Sequence, residues 1–333
     1  MPKAWVIHEY SGYQGLVLEA FPVQEPGPGE VRLKVEAFAL NWGDMDLMHD
    51  RYSFSFPEFP AKIGMEAAGI VEAVGPGVEG IEIGTRYSTL PHFYYNGGAS
   101  AESLVINARY LTPSPTQLSA VESASIWMQY MTAYFPIAEL SAAQAGDYFL
   151  IPAGTSTAGT AALEIGSHLG ATMITTSRFD YNEAYLRDAG ADHIFVQGQG
   201  NLAEYLMEVT DGKGIKAAFD PIGAGMIQQY GPALARDATI YFYGLLDAKF
   251  PEALPLVDMF QSNATFRAYS LFNYVNEPAA RDRGITFVNE ALQKGWVKPR
   301  IDRVYPMQDY IKAWDYLRQP RQHHGKVVIE TGL

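Results

Sequence analysis

The sequence contains no cysteine. Disulfides, thiolate metal sites and a cysteine nucleophile are excluded together. Positive charge is also scarce: 24 Lys and Arg stand against 37 Asp and Glu, a formal net charge of −13 at pH 7. Nucleic acid and anionic membrane surfaces select clustered Lys/Arg, so neither is an expected partner. An anionic ligand must instead be held by local dipoles and a few placed cations. Long apolar runs are missing too. No stretch approaches the roughly 18 uninterrupted apolar residues of a membrane helix, and the apolar run at the start, Met1–Ile7 (MPKAWVI), is too short for a signal sequence. A cytoplasmic protein is expected.

At 333 residues the chain is long for one hydrophobic core, and two domains are expected. The first third reads as β-structure. Val31–Phe38 (VRLKVEAF) alternates apolar and polar residues, and Ala68–Val74 (AGIVEAV) runs into the turn Gly75–Gly77. Pro26–Gly29 (PGPG) marks another corner, because glycine permits positive φ and proline presets it. Short strands between such corners suggest a small barrel or sandwich. Near Leu118 the pattern changes: Gln117–Phe135 carries apolar residues at helical spacing.

From Asp147 to Tyr269 short apolar runs alternate with amphipathic ones. The runs Tyr148–Ile151, Met173–Thr176, His193–Val196, Ala217–Asp220, Ile240–Tyr243 and Thr265–Tyr269 predict strands, with helices at Thr157–Leu169, Asn182–Ala189, Asn201–Thr210 and Gly225–Leu234 between them. That alternation predicts a parallel, doubly wound sheet, hence an α/β protein. A helix (Arg281–Lys294), a strand near Arg303–Tyr305, a helix (Gln308–Leu317) and a last strand (Lys326–Ile329) follow.

The sharpest local feature is Phe149–Gly159 (FLIPAGTSTAG), running from the first of these strands into a helix. Gly154 and Gly159 match the G-x-G-x-x-G spacing, and Ser156 stands in place of the middle glycine. The physics survives the substitution. Small residues let the backbone approach a pyrophosphate, and amides at a helix N-terminus carry partial positive charge. Hydroxyls on Thr155, Ser156 and Thr157 add donors, and Ala158 continues the small-residue run; a Ser/Thr-capped helix without ligand is the plainer alternative. An NAD site places Asp or Glu about 20 residues beyond such a turn. Here the second strand ends in Thr176, Ser177 and Arg178. A small hydroxyl followed by a permanent cation suits a 2′-phosphate, so NADP(H) is the expected cofactor.

On Asn41–Asp44 (NWGD), Gly64–Gly75 (GMEAAGIVEAVG), Gly97–Glu102 (GGASAE), Thr132–Tyr134 (TAY), the glycine turn, Ala189–Asp192 (AGAD) and Gly325–Val328 (GKVV), the chain resembles the medium-chain dehydrogenase/reductase superfamily, in its zinc-free, quinone oxidoreductase-like branch. The resemblance spans essentially the whole chain. It implies a GroES-like β-domain over residues 1–122, completed by 271–333, with a Rossmann NADP-binding domain over 123–270. It aligns Asn41, Met65 and Met128 with the three catalytic zinc ligands of the superfamily's alcohol dehydrogenases. An amide and two thioethers are a poor zinc set, so no metal is expected. Gly43 stands where the zinc enzymes place the hydroxyl that begins their proton relay.

Without a Lewis acid the substrate must already be electrophilic, as quinones and α,β-unsaturated carbonyls are, since a conjugated oxygen takes up the charge. The resemblance implies Asn41, Tyr52 and Thr132 near the nicotinamide. Tyr52 is the expected proton donor, and Asn41 the group bonded to the substrate oxygen. Ser177, Arg178 and Tyr181 would hold the 2′-phosphate, although relatives often carry lysine where Tyr181–Asn182 stand. Tyr243, Gly244, Leu271 and Phe272 would complete the cofactor site, the last two within an aromatic run, Tyr269–Tyr274, near a dimer edge. Asp44 and Glu66 resemble positions that pack beneath the active site, and His323–His324 reads as a surface pair. The expected activity is NADPH-dependent reduction of a quinone or enone by a homodimer. An enoyl-thioester reductase, or an NADPH-binding protein without turnover, is the alternative.

Overall fold

A computed structural model describes residues 1–92, 97–246, 253–320 and 322–333. The chain forms two compact units. One comprises Met1–Met128, Val275–Arg281 and Pro299–Leu333, the other Gln129–Tyr274 and Asp282–Lys298.

The first unit is β-rich. Its long strand Glu30–Ala39 buries Val31, Leu33 and Val35 completely, as the alternating pattern requires. That strand pairs antiparallel with Ala67–Val74, Ser103–Asn107 and Lys326–Glu330. The sheet runs in the order Ile301–Pro306, Lys326–Glu330, Glu30–Ala39, Ala67–Val74, Arg86–Thr89, Leu111–Pro113. The end of the chain is thus built into the first unit, with Val328 opposite Ala39. A smaller sheet joins Val17–Ala20, Lys3–Ile7 and Ala61–Lys62. At the predicted corners Gly75 is required by close approach: a Cβ there would lie 1.9 Å from the carbonyl oxygen of Gly27.

In the second unit six strands, all parallel, lie in the order His193–Val196, Thr172–Ser177, Tyr148–Ile151, Ile215–Asp220, Leu234–Phe242, Thr265–Ala268. Read in chain order this is the 3-2-1-4-5-6 arrangement of a Rossmann domain. Leu150, Ile174, Ala218 and Ile240 from the sheet pack with Leu206, Ile227 and Tyr230 from the helices. The predicted elements occur, with three differences. The helical region from Gln117 divides into Ala120–Ser123 and Trp127–Tyr134, followed by a wide turn over Phe135–Leu140 that admits Pro136. The helix predicted to reach Leu234 ends at Tyr230, since Pro232 lies in the next turn. The fifth strand begins at Leu234 rather than Ile240. Its exposed Arg236–Asp237 pair sits at a register irregularity, with Asp237 at φ 61°, which hides the strand pattern.

Residues 282–298 belong with the parallel sheet, not with the chain end that follows them. Within this unit Phe287 packs on Tyr134 at 4.5 Å, and Arg283 grips Glu139 through two bonds of 3.0 and 2.9 Å. Among the described residues no helix is long and apolar enough to cross a membrane.

Candidate active site

The phosphate turn is shaped by sterics before any ligand is considered. After strand Tyr148–Ile151 the backbone turns through Ala153 at φ 56°, a left-handed conformation unusual for a residue with a side chain. A Cβ on Gly154 would lie 2.0 Å from Thr175 Oγ1, whose hydroxyl donates to Ile151 O at 2.7 Å. Glycine alone lets the turn close against that strand. Gly159 is equally constrained, with a Cβ there 2.6 Å from Ala153 O. Ser156 caps the helix: its Oγ accepts from the Gly159 amide at 3.1 Å, and Thr160 Oγ1 donates back to Gly154 O at 3.0 Å. Thr155, Ser156, Thr157 and Ala158 are half-buried. By helix geometry the first-turn amides of Thr157 and Ala158 have no acceptor within the helix. Small, partly exposed residues over unpaired amides fit a diphosphate.

At the end of the second strand Ser177 is turned inward. Its hydroxyl donates to Phe179 O at 2.8 Å and accepts from Asn182 Nδ2 at 2.9 Å, bracing the turn that carries Arg178. Sequence spacing singles out Ser177 as a 2′-phosphate contact and does not specify this engagement. Arg178 is exposed and lies over the Phe179 ring, which stacks on Tyr181 at 5.0 Å. Tyr243 stacks on Phe219 at 3.9 Å, and burial pushes its phenol well up. Gly244 passes close to Pro221, where a Cβ would be 3.2 Å from the carbonyl oxygen. Thr132 is buried on its helix. Leu271 and Phe272 are buried as well, at 4% and 6% exposure.

The other predicted residues lie in the β-rich unit. Asn41 precedes the short helix Trp42–Leu47, and its backbone N–H donates to Asp44 Oδ2 at 3.0 Å. Asp44 is fully buried, and desolvation pushes its carboxyl up to about 7. The phenol of Tyr52 rests against Gly43: a Cβ on that glycine would be 3.0 Å from Tyr52 Oη. Gly43 therefore makes room for the tyrosine. Burial, with Asp44 and Asp46 nearby, pushes the phenol above its ordinary range, so it stays neutral.

Lys326 joins these residues. It opens the closing strand with 1% of its surface exposed, and its Nζ donates to Asn41 Oδ1 and Glu66 Oε1. The second oxygen of Glu66, itself 1% exposed, accepts from the Met128 backbone N–H at 3.1 Å. Positions 41, 66 and 128, remote in sequence, are thereby tied to one ammonium.

Residues 27–116 match the alcohol dehydrogenase GroES-like domain family, and residues 158–283 match the zinc-binding dehydrogenase family. A 2-haloacrylate reductase of Burkholderia sp. is 29% identical over 99% of both chains. A mycobacterial protein solved in complex with NADPH is 25% identical, with a TM-score of 0.89 over 99% of this chain and all of its own. A quinone oxidoreductase of Pseudomonas syringae shares the fold, with a TM-score of 0.90, 23% identity and coverage of 99% and 100%. A mycocerosic acid synthase-like polyketide synthase of Mycobacterium tuberculosis is 27% identical over 96% of this chain, which spans 15% of that protein. The chain belongs to the medium-chain dehydrogenase/reductase superfamily.

The segment matching the zinc-binding dehydrogenase family begins after residues 41, 65 and 128, so the match says nothing of a metal at those positions. Among the described residues no three His, Asp or Glu side chains converge as a metal site. The lysine went unrecognised in the sequence because Gly325–Val328 reads as a strand start. Its signal was a cation heading an otherwise apolar strand, opposite a carboxylate, Glu66, that itself needs a partner.

Proposed function

We propose that this protein is an NADPH-dependent oxidoreductase that delivers hydride to a quinone or α,β-unsaturated carbonyl without zinc. The observation that carries the reading is the donor set: an amide and two thioethers stand where zinc relatives hold the metal, and a buried lysine is bonded to that amide. Such a set polarises a conjugated oxygen by hydrogen bonding and charge rather than by coordination. The 2-haloacrylate reductase supports this substrate class, its named substrate being an alkene conjugated to a carboxyl group.

The turn Gly154–Gly159, with Thr155, Ser156, Thr157 and Ala158, would hold the diphosphate of NADPH. Arg178 and Tyr181 would hold its 2′-phosphate, with Ser177 fixing their turn. Thr132, Tyr243 and Gly244 would border the nicotinamide, with Leu271 and Phe272 packed behind. Bound NADPH would supply the hydride. The protein's own residues then manage the charge left on the acceptor: Asn41 donates to the oxygen where it develops, and the neutral Tyr52 supplies a proton. Tyr52→Phe is expected to lower kcat on an enone by about 10²-fold or more, the usual worth of a general acid, with NADPH affinity unchanged. A quinone, whose reduced form takes its proton from water, should lose less. Steady-state NADPH oxidation over quinones, enones and 2-haloacrylate is the measurement. A loss under about threefold on both classes would make Tyr52 a pocket wall only.

The protein is also proposed to be a homodimer. Strand Thr265–Ala268 ends the parallel sheet, and exposed strand edges need a partner or a cover. The neighbouring helix Leu256–Ser262 exposes Leu256, Val257 and Phe260 by 69%, 70% and 89%. A dimeric mass by light scattering is expected; a monomer at working concentration would refute it.

A further inference from the structure

Lysine offers three donors and no acceptor. The side-chain oxygen of Asn41, not its nitrogen, must therefore face the Lys326 ammonium, as it does. The orientation is enforced from several sides. Gly325, at φ 136°, lets the chain enter the strand where a Cβ would lie 2.4 Å from Arg300 O. The amide of Lys326 then donates to Arg300 O at 2.7 Å, and that of Leu40 to Val327 O at 3.0 Å, which fixes Lys326 beside Asn41. Glu66 holds the ammonium from a second direction and is itself held by Met128 N–H.

The amide nitrogen of Asn41 is left as the donating end, with the buried Asp44 carboxyl as a neighbouring acceptor. The bond from that nitrogen to Ala39 O is 3.5 Å, at the limit for a hydrogen bond. A buried ion pair gives little stability over apolar residues of the same size, so stability alone does not account for a lysine and glutamate each 1% exposed. Hydrogen bonds in a low-dielectric interior polarise one another. An ammonium pulling on the amide oxygen makes the amide nitrogen a stronger donor.

We infer that Lys326 is a positioning residue: it holds the amide oxygen of Asn41, so that the nitrogen is the end available to donate to the substrate oxygen, and lends that donor a buried positive charge. The inference rests on the proposed reduction of a conjugated carbonyl. Lys326→Met alone leaves Glu66 buried without its cation and can fail to fold for that reason. The test therefore uses the pair Lys326→Met with Glu66→Gln, which removes both charges and keeps an acceptor for Met128 N–H. Asn41→Ala and the triple variant complete the set, with thermal melts and NADPH affinity as fold controls.

Two readouts are taken. One is kcat and KM on an enone. The other is the affinity of the NADP⁺-loaded protein for 4-nitrophenolate, an oxyanion probe followed by absorbance. The pair and Asn41→Ala should each lower kcat and phenolate affinity by about tenfold or more. The triple variant should be no worse than either, because both act through one donor. A folded pair that keeps wild-type kcat and phenolate affinity overturns the inference, as do effects that multiply in the triple. If the wild type turns over no conjugated carbonyl, the proposed function falls, and the phenolate titration alone decides. Weaker binding by the pair than by the wild type then upholds the role of Lys326, and equal or absent binding refutes it.

Discussion

On the proposed function, the phosphate turn and the Asn41 cluster solve different electrostatic problems with different materials. The turn is made by neighbours: Ser156 caps Gly159 three residues on, and Thr160 reaches back six residues to Gly154. Its polar atoms are neutral amides and hydroxyls, half-exposed, with the cation Arg178 outside on the surface. The cluster is assembled from afar, with Lys326 bonded across 285 residues to Asn41 and 260 to Glu66. It buries Asp44, Glu66 and Lys326 at 0%, 1% and 1% exposure. A site for a bound anion can remain wet, since helix-end amides and one surface cation suffice. A site that meets charge only as it develops is better served by groups fixed before the reaction, out of water, where each interaction is stronger.

The largest effect expected on this contrast comes from Arg178, the cation beside the turn. Arg178→Ala should weaken NADPH by about 10- to 150-fold, the worth of a charge-assisted bond of roughly 1.5–3 kcal/mol. NADH affinity should hardly change, because it has no 2′-phosphate to lose. Equal losses for both cofactors, measured by fluorescence titration, would remove Arg178 from the 2′-phosphate site and leave the turn to hold the cofactor unaided.

The same contrast explains what was legible in the sequence. The turn could be read because its logic lies within Phe149–Gly159: strand, small residues, cap, helix. The parallel sheet followed from the alternation of patterns, whereas its strand order is seen only in the structure. Tyr52 and Asn41 came only through family resemblance, and Gly43 acquires its physical reason only once Tyr52 is seen against it. Lys326 stayed hidden because a cation heading an apolar strand is a weak signal by itself, and the carboxylate that explains it, Glu66, lies 260 residues away. Ser177 was found for its position, but its bonds to Phe179 and Asn182 belong to a turn geometry that residue type does not specify.

The buried half should also respond to pH where the exposed half does not. Desolvation raises Asp44 from 3.8 to about 7, so the folded protein holds a proton there that the unfolded chain releases. The resulting stability is complete below about 3.8 and is lost as pH rises through about 7. Within that window the slope is about 1.4 kcal/mol per pH unit. Asp44→Asn cannot ionise, so its unfolding free energy should lack this slope whatever its absolute value. Urea titrations of both proteins at pH 5, 6 and 7 compare the slopes; parallel lines would show Asp44 ionised throughout.

The smallest effect tests whether the turn keeps its two roles apart. Ser156 uses its oxygen to accept from the Gly159 amide at 3.1 Å, which is a cap, while its hydroxyl proton, beside the Tyr243 phenol, is the donor it would offer a diphosphate. Losing a serine cap costs about 1 kcal/mol of stability, so Ser156→Ala should lower the melting temperature modestly without cofactor present. Losing a neutral donor to the diphosphate costs about 0.5–1.5 kcal/mol, or roughly 2- to 12-fold in affinity. That loss should be the same for NADPH and NADH, because the diphosphate is common to both, whereas Arg178 must discriminate between them. A lowered melting temperature with unchanged affinity for both cofactors would reduce Ser156 to its cap and leave the amides of Thr157 and Ala158 to carry the anion. A loss confined to NADPH would instead put Ser156 in contact with the 2′-phosphate, and the assignment of the turn to the diphosphate would fail.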